Sequence, residues 1–170
     1  AMTEPGSRDR TPPPVVVLHE RSGGWARQLR ARLGAGPARW VETRSTADLL
    51  EAITGAAAPV VLVEAGPDPA PSLRDLARVA TRGSSPLVLF IDPLGRLEAM
   101  DEARELGATL VVSGSVAPPE VAGLIGRWIK LSAQAGAREG WSRPRPADPV
   151  RDPSAWIDDL VAESTQGLDC

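Results

Sequence analysis

The sequence predicts an α/β fold, a doubly wound parallel sheet of five βα units followed by a linker and a short amphipathic helix. Five short apolar runs alternate with five stretches of helical period, the order that lays helices over both faces of a parallel sheet. Most of those runs are continuously apolar, as strands covered on both sides must be. With 170 residues, 42% hydrophobic and 24% charged, the chain can bury about two thirds of its unfolded surface in one core, so one domain plus tails is expected.

Each element has its own local reason. The first strand is read at 15–19, Val-Val-Val-Leu-His; after Ser22 and two glycines, Trp25, Leu29 and Leu33 recur at helical spacing up to Gly34. The second strand, 39–43, alternates polar and apolar residues and is placed at a sheet edge. Ser45 or Thr46 caps the next helix, which turns Leu49, Leu50 and Ile53 inward and stops at Gly55. A third strand at 59–64 leads to a helix opened by Ser72, with Leu73, Leu76, Val79 and Ala80 inward, stopped at Gly83. The fourth strand, 87–92, precedes a helix from about Gly95 to Leu106 whose apolar stripe is Leu97, Met100 and Ala103. The fifth strand, 109–113, leads to a helix begun by Pro118 and Pro119, whose fixed φ suits a first turn. Its buried face is Val121, Leu124, Ile125, Trp128 and Ile129.

The globular body thus covers 14–134, after a disordered tail at 1–13. Residues 135–152 are rich in glycine, proline and arginine without apolar period and read as a linker. From 153 onward a helix is expected with Trp156, Ile157, Leu160 and Val161 on one face and Asp158, Asp159 and Glu163 opposite.

Composition narrows the functional classes. A net charge of −3 argues against a globally basic nucleic-acid binder. Arginine is abundant alongside alanine, glycine and proline, so its frequency reflects overall composition and is weak evidence of binding. No apolar run reaches the length of a membrane span, and the polar, proline-rich start is unlike a signal sequence, so a soluble cytoplasmic protein is expected. The single cysteine, Cys170, leaves no internal disulfide, and the single histidine, His19, thins the metal and acid–base sets; no metal and no cofactor is expected.

In such a sheet, function collects at the carboxyl ends of the strands. These carry His19-Glu20, Glu64, Asp92-Pro93 and Ser113-Gly114-Ser115, so up to three carboxylates share one rim. Five βα units with an acid after strand one and another ending strand three resemble the receiver domain of bacterial response regulators, over residues 14–134. The resemblance implies a strand order of 2-1-3-4-5. It also implies a site, and this chain departs from it at each position. Two acids that would hold Mg²⁺ correspond to His19 and Glu20, exchanging one hard oxygen donor for an imidazole. The phosphoacceptor Asp corresponds to Glu64, which is not expected to accept a phosphoryl group and can mimic a charged state instead. The Ser or Thr ending strand four corresponds to Ile91 or Asp92, and the Lys ending strand five to Ser113 or Gly114. Without that lysine and with Asp92 added, the pocket is more negative and opposes phosphate.

Other site chemistries lack their residues. Arg21-Ser22-Gly23-Gly24 has neither the lysine nor the spacing of a phosphate loop. A cobalamin-type DxHxxG run has Val17 in place of its Asp; flavin binding lacks aromatic walls; no GxSxG elbow supports Ser/His/Asp catalysis. The expected protein is a non-enzymatic regulatory interaction module, a pseudo-receiver that meets a protein partner or forms a homodimer. The terminal stripe of Trp156, Ile157, Leu160 and Val161, with Trp128 on the fifth helix, is the candidate docking surface. No membrane partner is expected, and the linker arginines are diluted by Glu139, Asp148 and Asp152, which argues against direct nucleic-acid binding. A phosphorylation- or ligand-gated receiver, a small flavodoxin-like enzyme and a receiver-like targeting domain are the alternatives.

Overall fold

The computed structural model describes residues 12–34, 36–82 and 84–141. Five strands, β1 (Val15–His19), β2 (Arg39–Thr43), β3 (Val60–Glu64), β4 (Leu87–Asp92) and β5 (Leu110–Ser113), alternate with five helices. These are α1 (Gly24–Leu33), α2 (Thr46–Ile53), α3 (Ala70–Ala80), α4 (Leu97–Glu105) and α5 (Pro118–Trp141). All strand pairs are parallel, in the order β2-β1-β3-β4-β5, so β2 stands at an edge as its mixed pattern predicts.

The continuous apolar runs serve two cores at once, because successive side chains point to opposite faces. Val15, Val17, Val61, Val63, Val88 and Phe90 pack under α2, α3 and α4. Val16, Leu18, Val60, Leu62, Leu89 and Ile91 pack under α1 and α5. The same alternation sends His19 and Glu20, neighbours in sequence, to opposite sides of the sheet. At the α4–β5 turn, Gly107 has φ of 102° and a Cβ there would stand 3.2 Å from Ala80 Cβ, so both backbone and space call for glycine.

Several expected boundaries and faces are corrected. Helix α3 starts at Ala70, ahead of Ser72, whose hydroxyl instead donates to the Glu64 carbonyl at 3.2 Å. Of the two cap candidates, Ser45 accepts from the Asp48 N–H at 3.2 Å. Ala80 is exposed, not inward. Ala99 joins Met100 and Ala103 on the buried stripe of α4, and Leu97 is turned outward with 74% exposure. Helix α5 runs on through 135–141, where a linker is expected, because Ala135, Gln134 and Ala137 sustain helix despite Gly136. Trp128, a candidate for docking, is buried against the α1 side of the sheet and is unavailable to a partner. The expected tail through residue 11, the linker beyond 141 and the stripe of Trp156, Ile157, Leu160 and Val161 lie outside the described residues. Among the described residues no helix is long and apolar enough to cross a membrane.

Candidate functional site

Glu20 follows β1 and faces the α1 side. Helix α1 begins after Gly23, which offers no side-chain cap, so its first N–H groups need an acceptor from elsewhere. Glu20 supplies both oxygens, accepting from the N–H of Trp25 at 2.8 Å and of Ala26 at 2.7 Å. Only 5% exposed, this carboxylate caps the positive end of the helix dipole.

That cap orients Trp25. Its indole Nε1 donates to Glu64 Oε2 at 2.6 Å, placing a ring at the end of β3. Burial pushes the Glu64 carboxyl above its ordinary range and the neighbouring Glu20 charge adds to this, while the indole N–H pulls it back. Glu64 is half-buried and also borders a hollow of about 230 Å³ formed with Arg21, Ala65, Gly66, Pro67, Pro93 and Leu94.

Asp92, ending β4, is fully buried. Its carboxylate accepts the N–H of Leu94 at 3.2 Å and of Arg96 at 2.7 Å, closing the turn into α4. The Arg96 guanidinium then grips it from the side, with Nη2 at 2.6 Å from Oδ1 and Nε at 3.1 Å from Oδ2. Those bonds hold the Asp92 carboxyl below its usual range. Arg96 also donates to the carbonyls of Gly66 at 2.9 Å and Pro67 at 2.6 Å, tying the β3–α3 loop to the β4–α4 loop.

His19 does not join this rim. Its Nδ1 meets Thr43 Oγ1 at 3.0 Å and its Nε2 meets Asp75 Oδ2 at 3.0 Å, while Thr46 Oγ1 donates to Asp75 Oδ1 at 2.6 Å. With a carboxylate oxygen opposite Nε2, that nitrogen is the donor of the pair. The network joins β1, β2, α2 and α3 out of contact with the other sheet face. Ser113 pairs in register with Asp92 but is exposed, and its side chain enters none of the described hydrogen bonds.

The expected rim is therefore drawn together in part: Glu20 and Glu64 meet through Trp25, Asp92 answers to Arg96, and His19 and Ser113 stand apart. Glu20 caps α1 and Asp92 closes the turn ahead of α4, and both carboxylates are buried. Residue patterns missed Trp25 and Arg96 as site residues. The available signals were the intervals Glu20 to Trp25 and Asp92 to Arg96 across a Pro-Leu-Gly turn, a short reach for a side chain folding back onto a strand end.

A divalent cation of the kind receivers hold does not fit this donor set. Both Glu20 oxygens are committed to backbone N–H groups, Glu64 shares Oε2 with an indole, Asp92 is neutralised by arginine, and His19 faces away. Among the described residues no group of three or more His, Cys, Asp or Glu is arranged to hold a metal.

Solved structures share this architecture at low identity. The signal receiver domain of a protein described as a Luxo repressor, from Vibrio parahaemolyticus, matches with a TM-score of 0.59 at 12% identity, covering 78% of this chain and 99% of that one. A response regulator from Thermotoga maritima gives 0.58 at 11%, over 69% and 98% of the two chains. The receiver domain of a Francisella response regulator gives 0.57 at 12%, over 70% and 98%. No protein-family model and no curated protein matches the sequence. With five parallel strands in the order 2-1-3-4-5, this chain has the flavodoxin-like fold of response-regulator receiver domains.

Proposed function

We propose that this protein is a non-enzymatic regulatory module that acts by binding another protein or a second copy of itself, without phosphoryl transfer to its strand-end carboxylates. The observation that carries this reading is the internal commitment of the rim. Each carboxylate that could have met a cation or a phosphoryl group already serves a helix terminus, an indole or a guanidinium. Freeing Glu64 means breaking the Trp25 contact, and freeing Asp92 means unseating Arg96 from two loops. Glu64, standing where an acceptor aspartate would, is not expected to accept a phosphoryl group, and burial, by raising its carboxyl pKa, disfavours the fixed negative charge of a phosphate mimic.

Titration of the intact chain with Mg²⁺ and beryllofluoride, followed by amide NMR, tests the proposal. No saturable shift is expected at residues 20–26 or 64–67. A saturable change there would overturn it and restore the phosphorylation-gated alternative.

A further inference from the structure

The α3–α4 surface has an unusual combination of features. A groove of about 450 Å³ runs between the two helices, walled by Pro69, Leu73, Leu97 and Ala99, with Glu98 and Glu102 along its rim. Leu97 stands 74% exposed above it and Leu94 is 66% exposed in the turn before α4. A leucine in the first turn is not needed for helix formation, and burying it would bring apolar area out of water.

The charge on α4 is one-sided. Glu98, Asp101, Glu102 and Glu105 are all exposed, against one base, Arg104, which pairs with Asp101 at 2.6 Å. Glu98 and Glu102 enter none of the described ion pairs and lie at i,i+4, where like charges repel. Glu102 and Glu105 also sit in the half of the helix where the dipole disfavours anions. Glu98, in the first turn, is favoured by the dipole, but Glu102 and Glu105 cost the isolated helix stability, and a cation placed between Glu98 and Glu102 would relieve their repulsion.

We infer that the α3–α4 groove docks a basic amphipathic helix, one apolar side chain seated against Leu73 and Leu97 and Lys or Arg residues placed beside Glu98 and Glu102. Two or three turns of the incoming helix would match the roughly 13 Å length of α4. Apolar contact would supply the affinity and the charges would set orientation. Arg96 does not oppose the ligand's cations strongly, since its guanidinium is already paired with Asp92. The assignment rests on reading the domain as an interaction module and adds where and with what chemistry it interacts.

The test uses the ¹⁵N-labelled intact chain with two synthetic helical peptides, one of Leu and Lys and its counterpart of Leu and Glu. The Leu/Lys peptide is expected to shift amides of Leu73, Leu97, Ala99 and Glu102. Leu97→Ser is expected to weaken binding roughly tenfold. The double variant Glu98→Lys, Glu102→Lys should lose the Leu/Lys peptide and gain the Leu/Glu one, a reversal that misfolding cannot produce; unchanged β-strand shifts verify the fold. Equal binding of both peptides, shifts centred elsewhere such as Leu110 and Leu131, or no shifts would overturn the groove while leaving the phosphorylation-independent reading intact. A dimer in sedimentation velocity that Leu97→Ser dissociates would also overturn it, by making a second copy the occupant. A beryllofluoride response, in contrast, overturns that reading whatever the peptides do.

Discussion

His19 and Glu20 are consecutive, yet they belong to two regions built on different terms. The His19 region is a closed polar chain between β1, β2, α2 and α3, in which every partner is another side chain. The Glu20 region, with Glu64 and Asp92, is anchored mainly on backbone: helix N–H groups and loop carbonyls take most of its hydrogen bonds. The first holds elements against each other across the sheet face, and the second holds loops against strand ends. Strand-end polarity in this fold can thus be spent on closing the structure.

The contrast can be broken most forcefully at Asp92. Asp92→Ala removes the acceptor that closes the turn into α4 and strands Arg96 beside the loop carbonyls, and urea unfolding should show a loss of about 3 kcal/mol. His19→Ala comes next: Asp75 keeps Thr46 but loses the imidazole, for about 2 kcal/mol by the same measurement. Backbone chemical shifts should change across β2 and α3 in that variant and stay fixed at the rim, whereas Asp92→Ala should do the opposite. A smaller effect is expected from Trp25→Phe, which deletes one hydrogen bond to a carboxylate and keeps the ring, at about 1 kcal/mol. Ser113→Ala should stay within about 0.5 kcal/mol of the parent, as an exposed group outside both networks.

Acid titration sharpens the same comparison, because the two rim carboxyls carry opposite signs. The folded pKa of Glu64 lies above its ordinary value, so the native state holds that proton more tightly than the unfolded chain. Through Glu64, stability falls as pH rises from its ordinary value to the folded one. Asp92 has a depressed folded pKa, so its contribution is present above its ordinary value and is lost as pH falls through the folded one. Stability measured against pH should therefore lose the Glu64 component in Glu64→Gln and keep the Asp92 component. Trp25→Phe should raise the Glu64 midpoint, read from the carboxyl carbon shift, since the indole bond is what lowers it.

Most of the fold was legible because burial on both faces leaves an unmistakable mark. Val15 to Leu18, Val60 to Val63 and Val88 to Ile91 have no polar residue to place at a surface, and only a sheet covered on both sides uses such runs. The α4 stripe was misjudged because Leu97, Met100 and Ala103 fit helical spacing as well as Ala99, Met100 and Ala103; hydropathy favours leucine, while the seat of the first turn is set by Asp92 and Arg96. Candidate carboxylates were legible as strand ends. Their partners were not, since Trp25 reads as an apolar helix residue and an arginine among many arginines carries no mark of its own. The direction of His19 was implicit in the two-residue period of β1, but Thr43 and Asp75 come from other elements and only tertiary placement joins them.

The Arg96 bridge has a consequence for motion. Its guanidinium holds Gly66, Pro67 and Asp92 together, so neither loop can open without releasing the other's hydrogen bonds. The two loops form one opening unit, and their protected amides, among them those of Leu94 and Arg96, should exchange with solvent at a common free energy. A solvent proton would meet this end of the sheet as a single hinged panel, with the arginine as its pin.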